Sequence, residues 1–288
     1  MTKLGLIPIA LALNLLVALA GVSAQTVNLE DLYVKGNKLS YNGYEVTRSF
    51  NERDQISTAT IRRGRRVLAR FNKGGGPSPD FTSFALFPLL GTESKQLIIN
   101  QYSGGAHCCT SAWIYDLSGP RLAKLYDSLD YDVAWSPSLI DLDHDGVYEF
   151  TQAVMAFDYF DRMSHADSPF PRVAFKYDRR LGKYLPASRT YSDYLLSDIE
   201  KYIDEVGKAN RELASTRADD DAGGYLGTLL QVVLQYIYAG REPEGWTFYD
   251  REYRLDDKAQ MKMKVKGALR DSAVYNSIYR GTNRRGAT

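Results

Sequence analysis

The chain has 288 residues, of which 44% are hydrophobic and 25% charged, a balance that excludes a wholly disordered or collagen-like protein. Its 36 Lys and Arg face 35 Asp and Glu, so there is no net field to draw nucleic acid or an anionic membrane. The two cysteines are neighbours, Cys108 and Cys109, which excludes a multi-bridge disulfide scaffold and a four-cysteine zinc site.

The first element is an address. Lys3 precedes an apolar run over residues 4–20, which closes in the small residues Gly21, Val22, Ser23 and Ala24. Basic start, apolar stretch and small-residue exit are the parts of a secretory signal peptide, with cleavage expected after Ala24. The mature chain is then expected to be exported, periplasmic or secreted, and to have no transmembrane span. The apolar run at 229–239 is too short to cross a bilayer and contains Gln231 and Gln235, so it reads as a buried helix.

From Val27 to about Ser188 apolar runs alternate with turn formers. Residues 56–61 and 67–71 flank Arg63-Gly64-Arg65 as a hairpin, with a basic tip over 62–66 that reads as solvated charge. Further runs lie at 97–102, 112–115, 121–126, 138–140, 150–155 and 173–177, with no helical period between them. The triple glycine at 74–76 lacks the Lys-Ser/Thr of a phosphate loop. After Thr190 the period becomes helical. Ser192 is expected to cap a helix that turns Leu195, Leu196, Ile199, Tyr202, Ile203, Val206 and Leu213 to one side. Asp219 to Gly224 reads as a connection, followed by a buried helix from Tyr225 to Ala239 stopped by Gly240. A short helix with Trp246, Phe248, Tyr249 and Tyr253 comes next, and a last one runs from Asp256 or Asp257 to about Arg280. The pattern predicts an α+β protein: a signal peptide at 1–24, an antiparallel β domain at 25–190 and a helical domain at 191–288.

The clearest chemical motif is Asp141-Leu142-Asp143-His144-Asp145-Gly146-Val147-Tyr148-Glu149. Three carboxylates at alternate positions can curl onto one hard cation, Gly146 permits the turn, Val147 can offer its carbonyl and Glu149 completes an oxygen cage. Gln152 stands where an EF-hand needs its bidentate Glu, and the flanks are strand-like, so the loop is expected to close a β-hairpin around structural Ca2+. In this arrangement it resembles the calcium loops of FG-GAP or VCBS repeats of integrin-like propellers. The resemblance covers roughly residues 86–178 and implies propeller-blade-like hairpins with calcium on Asp141, Asp143, Asp145, Val147 and Glu149. A single acidic loop points to a partial assembly of such hairpins rather than a complete ring.

The second motif is Tyr102-Ser103-Gly104-Gly105-Ala106-His107-Cys108-Cys109. It is similar to a motif of uncharacterised exported bacterial proteins, a resemblance that brings no activity with it. Adjacent thiols in an oxidising compartment tend to pair, yet neighbouring Cα atoms lie about 3.8 Å apart while ordinary bridges span about 4.4–6.8 Å, so the ring is strained. A vicinal disulfide would make a rigid turn, which Gly104 and Gly105 let the backbone reach. Two other states stay open: a copper or zinc site using His107 and Cys109, and a cysteine nucleophile. His165 and Cys108, taken singly, read as a satisfied histidine and a packed thiol. The tyrosines, Trp113 and Trp135 read mainly as core and cross-strand pairs, although exposed aromatics on a β-surface can hold a sugar or a protein.

Together these features predict an exported, non-catalytic, calcium-stabilised binding or cell-envelope protein whose partner is a protein or glycan rather than nucleic acid. The alternatives are a soft-metal or thiol-redox protein using His107, Cys108 and Cys109, and a cysteine-dependent hydrolase. The expected result for protein purified from its exported compartment without reductant is a mature mass starting at Gln25, about two units below the dithiol value. No alkylation should occur until reductant is added; two free thiols, or thiols released by a chelator, would exclude the vicinal disulfide.

Overall fold

The computed structural model describes residues 26–71, 81–104, 110–215 and 222–281. The expected signal segment, the triple glycine, and Gly105, His107, Cys108 and Cys109 lie outside them.

The β region is laid down as three successive antiparallel sheets. The first orders β2 (Lys38–Tyr41), β3 (Tyr44–Asn51), β4 (Ile56–Arg63) and β5 (Arg66–Phe71) side by side in chain order. Its opening hairpin turns on Asn42 and Gly43, both at positive φ (49° and 77°), the signature of a tight turn that matches strand twist. The second contains β6 (Thr82–Phe87), β7 (Gln96–Tyr102), β8 (Thr110–Asp116) and β9 (Ala123–Asp127). The third contains β10 (Val133–Ile140), β11 (Glu149–Val154), β12 (Arg172–Asp178) and β13 (Lys183–Pro186), and the short N-terminal β1 (Thr26–Val27) covers the free edge of β10. β1 pairs only with Leu139 and Ile140, so it covers the acidic-loop end of that edge.

The helices are α1 (Ser192–Leu195), α2 (Ile199–Ser215), α3 (Ala222–Tyr238), α4 (Glu242–Glu252), α5 (Lys258–Asp271) and α6 (Ala273–Arg280). Several sequence expectations are corrected here. The first predicted helix is two, broken between Leu195 and Ile199, and Ser192 does not cap it: the cap position is Tyr191, and the Ser192 hydroxyl instead accepts from Arg241 Nε at 2.9 Å. The last predicted helix is also two. Ser272 adopts an extended conformation between them and its hydroxyl accepts from Tyr275 N, capping α6. Ala222, Gly223 and Gly224 open α3 rather than linking to it. Gly223 is needed there because a Cβ would stand 2.9 Å from the Arg162 carbonyl. At the basic tip, Arg63 lies 4.9 Å over the Tyr44 ring and donates to the Gly119 carbonyl, so it ties the first sheet to the second rather than being merely solvated.

One apolar cluster runs from the second sheet (Ile98, Ile114) through the third (Phe150, Phe175) to α3 (Leu230, Val233) and α5 (Met261, Val265). A separate cluster, with Tyr44, Ile61, Leu97 and Trp113, joins the first two sheets. Helix α3 is the pivot of the larger one. It has no charged residue, and its two glutamines face the backbone that enters β12: Gln231 Oε1 accepts from Phe170 N at 2.8 Å, and Gln235 accepts from Arg172 N at 2.9 Å while donating to its carbonyl at 3.2 Å. The approach is closest at Gly227, where a Cβ would fall 1.7 Å from the Asp167 carbonyl oxygen. The connection from β11 to β12 is also pinned from outside, by ion pairs of Arg162 with Asp257 and of Lys264 with Asp161.

Two outcomes are expected. Gly227→Ala should destabilise by about 3 kcal/mol or more in chemical denaturation, because α3 or the Asp167 backbone must move. The hydrogen bond from Lys264 holds the Asp161 carboxyl below its ordinary pKa. Its contribution is therefore complete above about pH 4 and is lost as pH falls through the lowered folded-state value. Asp161→Asn should remove that part of the acid dependence at a cost of up to about 1 kcal/mol near neutrality.

Candidate functional site

The acidic loop closes the β10–β11 hairpin, whose terminal pair is Ile140 with Glu149. The strands thus bring the first and last acids of the motif to the same end of the sheet. One carboxylate oxygen each from Asp141, Asp143 and Glu149 lies within 4.8 Å of the others. Oxygens bound to one calcium ion at about 2.3–2.6 Å can be at most about 5 Å apart, so this spacing admits a shared ion. Glu149 is fully buried. Its Oε2 accepts from Leu142 N at 2.9 Å, whereas Oε1 lacks a hydrogen bond, as does the buried Oδ1 of Asp141. Burial pushes the Glu149 carboxyl above its ordinary pKa.

Asp145 does not join this cluster. Its Oδ1 accepts from Val147 N at 2.7 Å, and Asp141 Oδ2 accepts from Gly146 N at 3.1 Å, so both carboxylates brace the turn. Val147 packs its side chain into the core, and the next amide, Tyr148 N, donates to the Leu89 carbonyl at 2.8 Å. The second sheet therefore presses on the loop from the side. Gly91 is forced there: at φ +63°, a Cβ would stand 2.4 Å from the Gly146 carbonyl oxygen.

A residue outside the motif completes the site. Lys176, on β12, donates to Asp143 Oδ2 and lies 3.4 Å from Glu149 Oε1, an ion pair whose angle falls short of a hydrogen bond. It also donates to the Tyr191 hydroxyl at 3.0 Å, which in turn donates to Asp143 Oδ2 at 3.1 Å. Burial works against the Lys176 charge, but the bonds to Asp143 and Tyr191 and the charge of Glu149 outweigh it and raise its pKa. Burial opposes the Asp143 charge too, and the contact with Lys176 reverses the effect, leaving the carboxyl below its ordinary range. Sequence reasoning missed Lys176 and Tyr191. They are 33 and 48 residues from Asp143, and only the β11–β12 pairing of Phe150 with Phe175 shows that Lys176 arrives beside Glu149.

Of the cysteine motif, Gly105 to Cys109 lie outside the described residues. β7 ends at Tyr102 and β8 begins at its partner Thr110, so residues 103–109 join that hairpin. Gly104 is at φ +84°, a left-handed backbone conformation that favours glycine. The acidic loop touches the opposite end of the same sheet, at Leu89 and Gly91, and β7 is about 20 Å long. His165 fulfils the bland reading: its Nδ1 lies 2.7 Å from Asp158 Oδ1. Trp113 is core, with its ring 4.8 Å from Phe71, whereas Trp135 is 42% exposed.

No protein-family model, curated protein or solved structure matches the chain. No helix among the described residues is long and apolar enough to cross a membrane.

Proposed function

We propose that the chain is an exported, non-catalytic binding or cell-envelope protein whose acidic loop is stapled by calcium. The observation that carries this reading is the convergence of Asp141, Asp143 and Glu149 at one hairpin end, where buried Asp141 Oδ1 has no hydrogen bond and buried Glu149 Oε1 has only the 3.4 Å ion pair to Lys176. Leaving such oxygens without a hydrogen bond costs about 1–3 kcal/mol each or more, which a divalent cation would recover. The Val147 carbonyl and solvent would complete the oxygen shell, with Asp145 reaching it only if it releases Val147 N. In this reading Lys176 is the ion's internal competitor: its ammonium neutralises the cage when calcium is scarce and swings aside when the ion enters.

The three successive sheets, two of four strands and one of four plus the short β1, suit the blade-like reading of the β region. Three fall short of the roughly four to eight blades of a closed propeller, and the chain is read as a partial assembly backed by helices. Export is supported by the signal-like N-terminus. The alternatives using His107, Cys108 and Cys109 rest on residues outside those described, and the alkylation measurement decides between them.

Thermal unfolding in calcium and in chelator tests the staple. Calcium at a hundredfold excess over its Kd adds about 2.7 kcal/mol, which should raise Tm by roughly 5–10 °C. Asp141→Asn and Glu149→Gln should abolish the shift. Lys176→Met should lower the calcium-free Tm and enlarge the shift. Equal melting with and without calcium would overturn the proposal.

A further inference from the structure

A cleft of about 470 Å³ opens where the β10 strand meets α1, α2 and α3. That volume falls within the range of about 300–1,000 Å³ typical of small-ligand sites. Two of its exposed wall residues are aromatic: Trp135 is 42% and Tyr194 37% exposed. Phe170 backs Trp135 at a ring distance of 5.1 Å, and Tyr202 lines the helical side.

The position of Trp135 is imposed rather than incidental. β10 breaks register against β11 between Ala134 and Ser138, and Trp135 sits in that bulge at φ +70°. A bulky side chain in left-handed backbone is a genuine outlier, with a cost of about 1–3 kcal/mol. It persists because buried Gln152 fixes it: Gln152 Nε2 donates to the Trp135 carbonyl at 2.6 Å, while its Oε1 accepts from buried Tyr126. Asn100 Nδ2 donates to Ser136 Oγ at 3.0 Å and secures the next residue. The bulge turns a large indole outward where strand alternation would give only a transient edge contact.

The polar groups of the cleft are both donors and acceptors. Gln231 uses Oε1 on Phe170 N and has no partner for Nε2 among the described residues. Arg172 commits one guanidinium nitrogen to Thr151, and Asp198 stands exposed on the opposite wall. Neither charge is in an ion pair among the described residues, and together they cancel.

We propose that this cleft binds a neutral pyranose unit of an oligosaccharide, stacked on Trp135 and flanked by Tyr194. A pyranose has an apolar C–H face that fits an aromatic ring and a rim of hydroxyls that each donate and accept. The Trp135 and Tyr194 faces, the Gln231 amide, the Arg172 fork and the Asp198 carboxylate meet both needs. The balanced charges favour a neutral sugar over an acidic one. The proposal rests on the reading of the chain as a binding protein, and not on calcium.

The test titrates the full mature chain with maltotetraose, cellotetraose, chitotetraose and an oligogalacturonate, followed by tryptophan fluorescence and saturation-transfer NMR. At least one neutral tetrasaccharide should bind and perturb the indole emission. Trp135→Ala and Tyr194→Ala should each weaken binding by about tenfold, the factor for one lost aromatic contact. Trp246→Phe, at a different surface, should leave it unchanged. Tyr194 is exposed, so its variant should melt like the wild type even if Trp135→Ala does not. Failure of all three neutral sugars to bind, binding of the oligogalacturonate alone, or full affinity in both aromatic variants would overturn the proposal. Calcium-dependent melting is measured on the same samples. A melting shift without sugar binding removes only this inference; sugar binding without a melting shift removes only the calcium staple.

Discussion

Helix α3 holds the molecule together through a contact that ordinary apolar packing would not provide. A helix without charge, buried on nearly every side, must meet exposed backbone where the chain enters β12, and unpaired backbone groups there would be costly. Gln231 and Gln235, one helical turn apart, supply the missing partners for Phe170 and Arg172. Gly227 lets the helix come near enough for those amides to reach. Both candidate sites depend on this clamp. It fixes β12, which carries Lys176 to the acidic loop at one end and Arg172 to the aromatic cleft at the other.

The acidic loop is a local motif with a non-local balance. Its turn is braced from within by Asp141 and Asp145, but its charge is met by Lys176 and Tyr191 from elements that join the sheet later. An ammonium among carboxylates makes the hairpin tolerable without metal, and the oxygens of Asp141 and Glu149 that lack a hydrogen bond leave it improvable by one.

Strand β10 links the two regions. Its last residues lead into Asp141, and its bulge places Trp135 in the cleft, near the end of the second sheet from which residues 103–109 depart. The calcium reading and the sugar reading thus concern opposite ends of one strand. β10 pairs with β11 on one edge, on both sides of its bulge, and with β1 on the other only at Leu139 and Ile140.

The sequence by itself determined the α+β order, the hairpin position of the acidic loop and the buried nature of α3. Each of these follows from a local signal: period-two and helical spacing, alternate carboxylates before Gly146, and an apolar run interrupted by glutamines. The Asn42-Gly43 turn was just as legible, a strong hairpin signal between Tyr41 and Tyr44, but the strands beside it are polar and half-exposed. The rest needed tertiary structure. Pro137 and the bulge disguised β10 as a three-residue run, since a proline argues against an interior strand unless a bulge accommodates it. Ser272 broke the last helix because its hydroxyl caps α6 in place of continuing α5. Lys176 joined Asp143, and Trp135 met Phe170, only because strands distant in sequence were paired in register. Local spacing can show which groups share a loop or a face; which of them meet across the fold is decided by pairing and packing over tens of residues.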